Sequence, residues 1–255
     1  MPFPLAHPAA ILPLRRLPPG WLDPAALIVG SIIPDTGYFF SSLGVDVLAH
    51  SALGVILYVM PAGVVTLACL RLLAFLAARR WRAGAGWATM LGPVPPLWVT
   101  LLSLLVGAGT HLAWDSLTHK TGWLVQAWPA LQVPLFPLMG RLVKGHHLLW
   151  YSCSFGGLAA VYWAFDRSAR RNLGHPPLSR NRLALDTVLV AGLALPIAGI
   201  HHLLREPLGN ILAASLTLFL LLWIMGRLHR GLPILGGGTS LPVPPNSPPT
   251  PSLNG

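Results

Sequence analysis

From His50 to Ala78 the chain carries one charged side chain, Arg71, and it then closes on Arg79, Arg80 and Arg82. An apolar run of this length spans the roughly 30 Å hydrocarbon core of a bilayer as a helix with residues to spare. In hydrocarbon every backbone amide must find its partner within the protein, so a helix is the form such a run takes. Comparable runs recur from Pro95 into the His111 region, from Leu148 to Phe165, from Leu183 to His201-His202 and from Pro207 to Met225. Charged residues make up only 9% of the 255, against about 25% in a soluble domain. The expected fold class is therefore all-α: a polytopic transmembrane helical bundle of about five spans, the first kinked at Pro61.

The N-terminal segment follows a different rule. Pro4, Pro8 and Pro13 interrupt it, which argues against a long helix, and it lacks the basic start of a cleavable signal peptide. Asp23-Pro24 is a helix start, with Asp as the cap and Pro at the first helical position. The stretch it opens, Pro24 to Ile33, is about ten residues and too short to span. It is expected to form a short interfacial or re-entrant helix that Pro34-Asp35 stops. Residues 1–232 read as one membrane-embedded domain. Residues 233–255, rich in Pro, Gly and Ser, read as a disordered tail. Cys69 and Cys153 both lie inside apolar runs and read as packing residues.

Orientation comes from the basic residues. The 17 Lys and Arg outnumber the 7 Asp and Glu, but they sit between apolar spans, which indicates topology and not a nucleic-acid partner. If the ends after spans one, three and five face the cytoplasm, that side holds eleven arginines against Asp166 and Asp186, a net +9, and the other side a net +1. The protein is thus expected to be a multi-pass protein of the inner membrane, with lipids as its standing partners. On this topology eight of the ten histidines fall on the non-cytoplasmic side, together with Trp21, Trp114, Trp123, Trp128 and Trp150, which suit an interfacial aromatic belt.

The densest chemistry lies in His111-Leu-Ala-Trp-Asp115-Ser-Leu-Thr-His119. Positions four apart stack on one helical stripe, so two imidazoles and a carboxylate share one face. That donor set suits a borderline ion such as zinc. Blander readings stand beside it: a hydrogen-bonded His–Asp pair at a helix end, with His119 capping the C-terminus. Asp35 can sit in an ordinary turn, His50 can simply open a span, and His7 can belong to a mobile arm. His146-His147 and His201-His202 read as interfacial anchors.

Taken together, Pro-Phe-Pro-Leu-Ala-His7-Pro, Gly30-Ser-Ile-Ile-Pro-Asp35, His50-Ser51 and Thr110-His111-Leu-Ala-Trp-Asp115-Ser-Leu-Thr-His119 resemble a bacterial membrane family known as domain of unknown function 4184. More distantly they are similar to membrane-bound proteins described as metal-dependent hydrolases, and through these to zinc-dependent phospholipase C. The motif-bearing part covers residues 1–165. The resemblance implies a divalent metal, zinc foremost, held by His7, Asp35, His50, His111 and Asp115, with His119 beside them. It departs from the soluble phospholipases in having a single glutamate, Glu206, outside the motifs.

The expected function is a membrane-bound metal-dependent hydrolase acting on a lipid-like ester or phosphoester, with Asp35 or Asp115 as general base. The alternatives are a structural or assembly protein and, less favoured, a transporter. A transporter would carry its polar groups near the bilayer midplane.

Overall fold

The computed structural model describes residues 3–80, 91–138 and 141–173. The fourth and fifth expected spans, the tail, and His175, His201, His202 and His229 lie outside them. Within that part the protein is helical, and four helical stretches are long and apolar enough to cross a membrane: Pro24–Leu43, Ala52–Arg79, Leu97–Ala127 and Gly145–Ser168. The last three correspond to expected spans one to three.

The stretch Pro24–Leu43 begins with helix α1 (Pro24–Thr36) and runs on through a 3-10 segment, Gly37–Leu43. Asp23 caps α1 as expected, accepting the Ala25 amide at 3.0 Å. Pro34 does not stop the helix. Its ring excludes one amide hydrogen bond in the last turn but tolerates helical backbone there, so Asp35 stands on α1 and not in a turn. The element is thus longer than the ten-residue helix expected.

After a turn at Val45–Ala49 the chain doubles back through Ala52–Gly54 and a π-helical turn, Val55–Val59, into α2 (Met60–Arg80). The expected distortion at Pro61 takes the form of that wide turn, which precedes the proline and accommodates its missing amide. Helix α3 (Leu97–Thr118) returns, and α4 (Gly145–Leu173) follows. Between them a two-stranded hairpin pairs Pro134–Leu138 with Arg141–Lys144, antiparallel. No alternation of apolar and polar residues announces it.

The core lies where α1 meets α2 and α3: Ala26, Val29 and Ile33 pack with Val55, Val59, Leu67, Leu104 and Ala108. Helices α1 and α3 run parallel in backbone contact. A Cβ on Gly30 would overlap the Leu104 carbonyl, and one on Gly107 would overlap the Leu27 carbonyl. Their polar contacts keep a constant offset of 80 residues: the Asp23 amide donates to Ser103 Oγ at 2.8 Å, and His111 Nδ1 lies 2.8 Å from the Ser31 carbonyl.

The proline-punctuated N-terminus is neither free nor α-helical. It forms a 3-10 helix, Pro4–Arg16, because proline's fixed φ suits that backbone while its missing amides deny an α-helical ladder. Phe3 packs edge-on against Trp150 and its amide donates to Ser154 Oγ, both on α4. Ala6 fits over Gly157, where a side chain would collide with it. This docking carries His7 into the bundle, where it is fully buried.

One expectation about charge is corrected. The charge division of the sequence counts Arg71 among the eleven arginines of one side and Asp23 among the acids of the other, yet the two side chains touch at 2.8 Å. The reason is the length of α1, which separates Asp23 from Asp35 by about 18 Å of helix.

Candidate metal centre

Four segments meet at one point. The N-terminal 3-10 helix brings His7, the last turn of α1 brings Asp35, the turn before the second span brings His50, and α3 brings His111 and Asp115. His7, Asp35, His111 and Asp115 are all buried, and one donor atom from each lies within 4.8 Å of the others.

The distances fall in a narrow range. His7 Nε2 is 3.6 Å from Asp35 Oδ2 and 3.6 Å from Asp115 Oδ1. His50 Nε2 is 3.6 Å from Asp35 Oδ1 and 3.5 Å from Asp115 Oδ2. His111 Nε2 stands 3.4 Å and 3.3 Å from the same two oxygens. The two oxygens of each carboxylate therefore face different imidazoles, His50 and His111 on one side and His7 on the other.

These contacts are not hydrogen bonds. A protonated imidazole binds a carboxylate at about 2.7–2.9 Å, and every His–Asp approach here is longer. All four carboxylate oxygens are buried without a hydrogen-bond partner, as are both nitrogens of His7. Leaving two carboxylates unpaired in a bundle interior is costly. Two zinc ligands about 2.1 Å from the ion and tetrahedrally disposed stand about 3.4 Å apart, which matches the spacing seen. The donor set fits a divalent ion.

The imidazoles are also oriented for it. His111 Nδ1 donates to the Ser31 carbonyl at 2.8 Å, and His50 Nδ1 to the Asp46 carbonyl at 2.7 Å. Fixing the proton on Nδ1 leaves each Nε2 with its lone pair directed inward, the arrangement that outer contacts impose on metal-binding histidines. The two Nε2 atoms face each other at 3.3 Å, close enough to share one ion. The His7 ring stacks on that of His111 with centroids 3.8 Å apart. Burial above all lowers the His7 pKa from 6.5 to about 3 and keeps that imidazole neutral.

His119 stands at the rim. As the C-cap of α3 it turns Nδ1 to the Asp115 carbonyl at 3.1 Å and lies 3.5 Å from Asp115 Oδ1, while its Nε2 is buried without a partner. It thus combines the capping role with proximity to the cluster. His146 and His147 do neither. His146 Nδ1 engages the Leu131 carbonyl, and His147 Nδ1 accepts the Lys144 amide, which ties the hairpin to the start of α4.

The partners that orient the cluster were invisible in the sequence because they are backbone groups, the carbonyls of Ser31 and Asp46. Tyr38, whose ring lies 5.3 Å from that of His50, was missed as well. The run Tyr38-Phe39-Phe40 beside Asp35 was the available clue.

Fold and site together define a helical membrane protein with a buried His/Asp cluster able to hold a metal ion. The chain belongs to the DUF4184 family: that family's model, described as a domain of unknown function, matches residues 1–228. No curated protein and no solved structure matches the chain.

Proposed function

We propose that the protein is a membrane-bound, zinc-dependent hydrolase acting on a lipid-like ester or phosphoester at the non-cytoplasmic interface. The observation that carries this reading is the set of inward-facing donors: three imidazoles around two carboxylates whose oxygens have no hydrogen-bond partner, spaced as ligands of one centre. His7, His50, His111, Asp35 and Asp115 are the residues that would hold the ion. Zinc in such a site supplies Lewis acidity toward water and toward an ester oxygen. Asp115 Oδ1, which faces His119 at the rim, is left to accept a proton as general base, whereas Asp35 Oδ2 faces His7. His7, Asp35 and His111 form a floor closed to water.

The substrate class follows from where the cluster opens. The side chains of His7 and His111 are 0% exposed and that of Asp35 1%, whereas His50 reaches 19% and His119 22%. The open edge thus runs from His50 past Asp115 to His119. Beside His50 the rim is apolar, with Phe39, Phe40, Leu43 and Val47 exposed. An amphiphile can lay its chain on that rim and present its polar end to the cluster. The distant resemblance read from the sequence motifs, to metal-dependent hydrolases and zinc-dependent phospholipase C, is in keeping with this class.

Two tests apply. Detergent-purified protein should retain zinc and release product from a long-chain phosphoester faster than from its short-chain counterpart. Protein that carries no metal and takes none up from zinc-supplemented buffer overturns the reading in favour of a structural role. For sidedness, a single cysteine in the loop between His119 and His146 should react with an impermeant maleimide from the non-cytoplasmic side. Reaction only from the cytoplasmic side reverses the orientation.

A further inference from the structure

A second polar cluster lies in the bundle, away from the centre. Arg71 on α2 places Nη2 2.8 Å from Asp23 Oδ2, and the Asp23 side chain is 3% exposed. Asp23 Oδ1 accepts the Ala25 amide and so caps α1. The Asp23 amide donates to Ser103 Oγ on α3, and Ser103 in turn donates to the Val99 carbonyl at 2.7 Å. Three helices thus meet at one aspartate. Arg71 and Ser103 both lie within candidate membrane spans, and Asp23 stands immediately before another.

An ion pair at this depth is expensive, and a buried pair is weak evidence for stability. Its best-attested use is to fix register. Register is what the centre requires. Ser103 and His111 are eight residues apart on α3, and Asp23 and Ser31 are eight apart on α1, so the bond at Asp23–Ser103 and the bond at Ser31–His111 share one offset. Between them the helices touch through Gly30 and Gly107. Glycine contacts allow close approach, but apolar packing against lipid-like surroundings does little to prevent one helix sliding along the other. Directional polar bonds do prevent it.

We propose that Asp23, Arg71 and Ser103 form a register clamp that positions Asp35 and His111 for metal binding. A slide of α1 along α3 would carry Asp35 away from the Nε2 atoms of His111 and His50 and break the Ser31 contact that orients His111. The clamp makes that slide cost an ion pair and a hydrogen bond together. The three residues touch no ligand atom and act only through α1 and α3. The inference rests on the metal-centre reading.

The test uses full-length protein reconstituted in lipid nanodiscs and titrated with Co(II), whose d–d absorption reports ligand geometry. Arg71→Met removes the charge while keeping an apolar stem, Ser103→Ala is a milder second variant, and Arg71→Lys restores the charge. Arg71→Met and Ser103→Ala should weaken Co(II) binding about tenfold, the low end of what loss of a contact made directly to a ligand costs, and should alter the d–d bands. Arg71→Lys should recover most of both. A metal-free readout runs alongside it: spin labels at Ile28→Cys and Gly109→Cys, in a Cys69→Ser/Cys153→Ser background, report the α1–α3 register. Arg71→Met should broaden or shift that distance and Arg71→Lys should restore it. Wild-type cobalt spectra and wild-type distances in Arg71→Met overturn the clamp. If the wild type binds no Co(II), the metal reading falls, and the label distances alone decide: unchanged in Arg71→Met, they overturn the clamp as well.

Discussion

Asp115→Asn is expected to abolish the zinc response of the protein without harming its fold. The replacement is nearly isosteric, and it removes a buried charge whose two oxygens have no hydrogen-bond partner, so the metal-free protein should be as stable as wild type or more so. In wild type, zinc at about a hundred times its dissociation constant adds about 2.7 kcal/mol of stability. That gain should disappear in the variant, because Asp115 lies 3.3–3.6 Å from four imidazoles and its loss opens both sides of the donor set. The measurement is thermal unfolding in detergent with zinc and with chelator. Wild type should lose stability on chelation, whereas Asp115→Asn should not respond. Bound metal should fall at least tenfold. His111→Ala should give the same loss, and the double variant should be little worse than either, since groups acting as a unit are not additive. A variant that keeps the full zinc response removes Asp115 from the centre.

Much of this was legible in the sequence because periodicity and chemistry coincide there. The i, i+4 placement of His111 and Asp115 needed only a helix to bring them together. The runs at Ala52–Arg79, Leu97–Ala127 and Gly145–Ser168 were readable from apolar length alone. What could not be read was tertiary. His7 lies in a segment too rich in proline for periodicity to place, and its entry depends on Phe3 and Ala6 docking on α4 at Trp150 and Gly157. Asp35 looked like a turn residue because Pro34 precedes it, but one proline in a last turn does not end a helix already committed by its cap. The pairing of Asp23 with Arg71 joins residues 48 apart that no local rule connects. The two carbonyls that set the histidine tautomers are backbone atoms and leave no trace in residue identity.

Replacing Gly30 or Gly107 by alanine is expected to cause a large loss of stability, and with it the loss of the centre. At Gly30 the new methyl meets the Leu104 carbonyl, Cα and carbonyl carbon, and at Gly107 it meets the Leu27 carbonyl and the Ser31 amide. These are backbone atoms, so no rotamer change relieves the overlap and α1 must move off α3. Overpacking of this kind costs about 1–3 kcal/mol and occasionally more. The same movement stretches the Ser31–His111 bond and separates Asp35 from His111 and His50, so metal affinity should fall together with stability. Gly109→Ala is the control, because it stands two residues along the same helix with nothing within 4 Å of the added carbon, and helix propensity there favours alanine. It should bind zinc as wild type does and unfold no earlier. Since one displacement of α1 relieves both clashes, Gly30→Ala/Gly107→Ala should cost well below the sum of the single changes. Equal behaviour of Gly30→Ala and Gly109→Ala, in unfolding temperature and in metal content, is the result that would separate the α1–α3 contact from the site it carries.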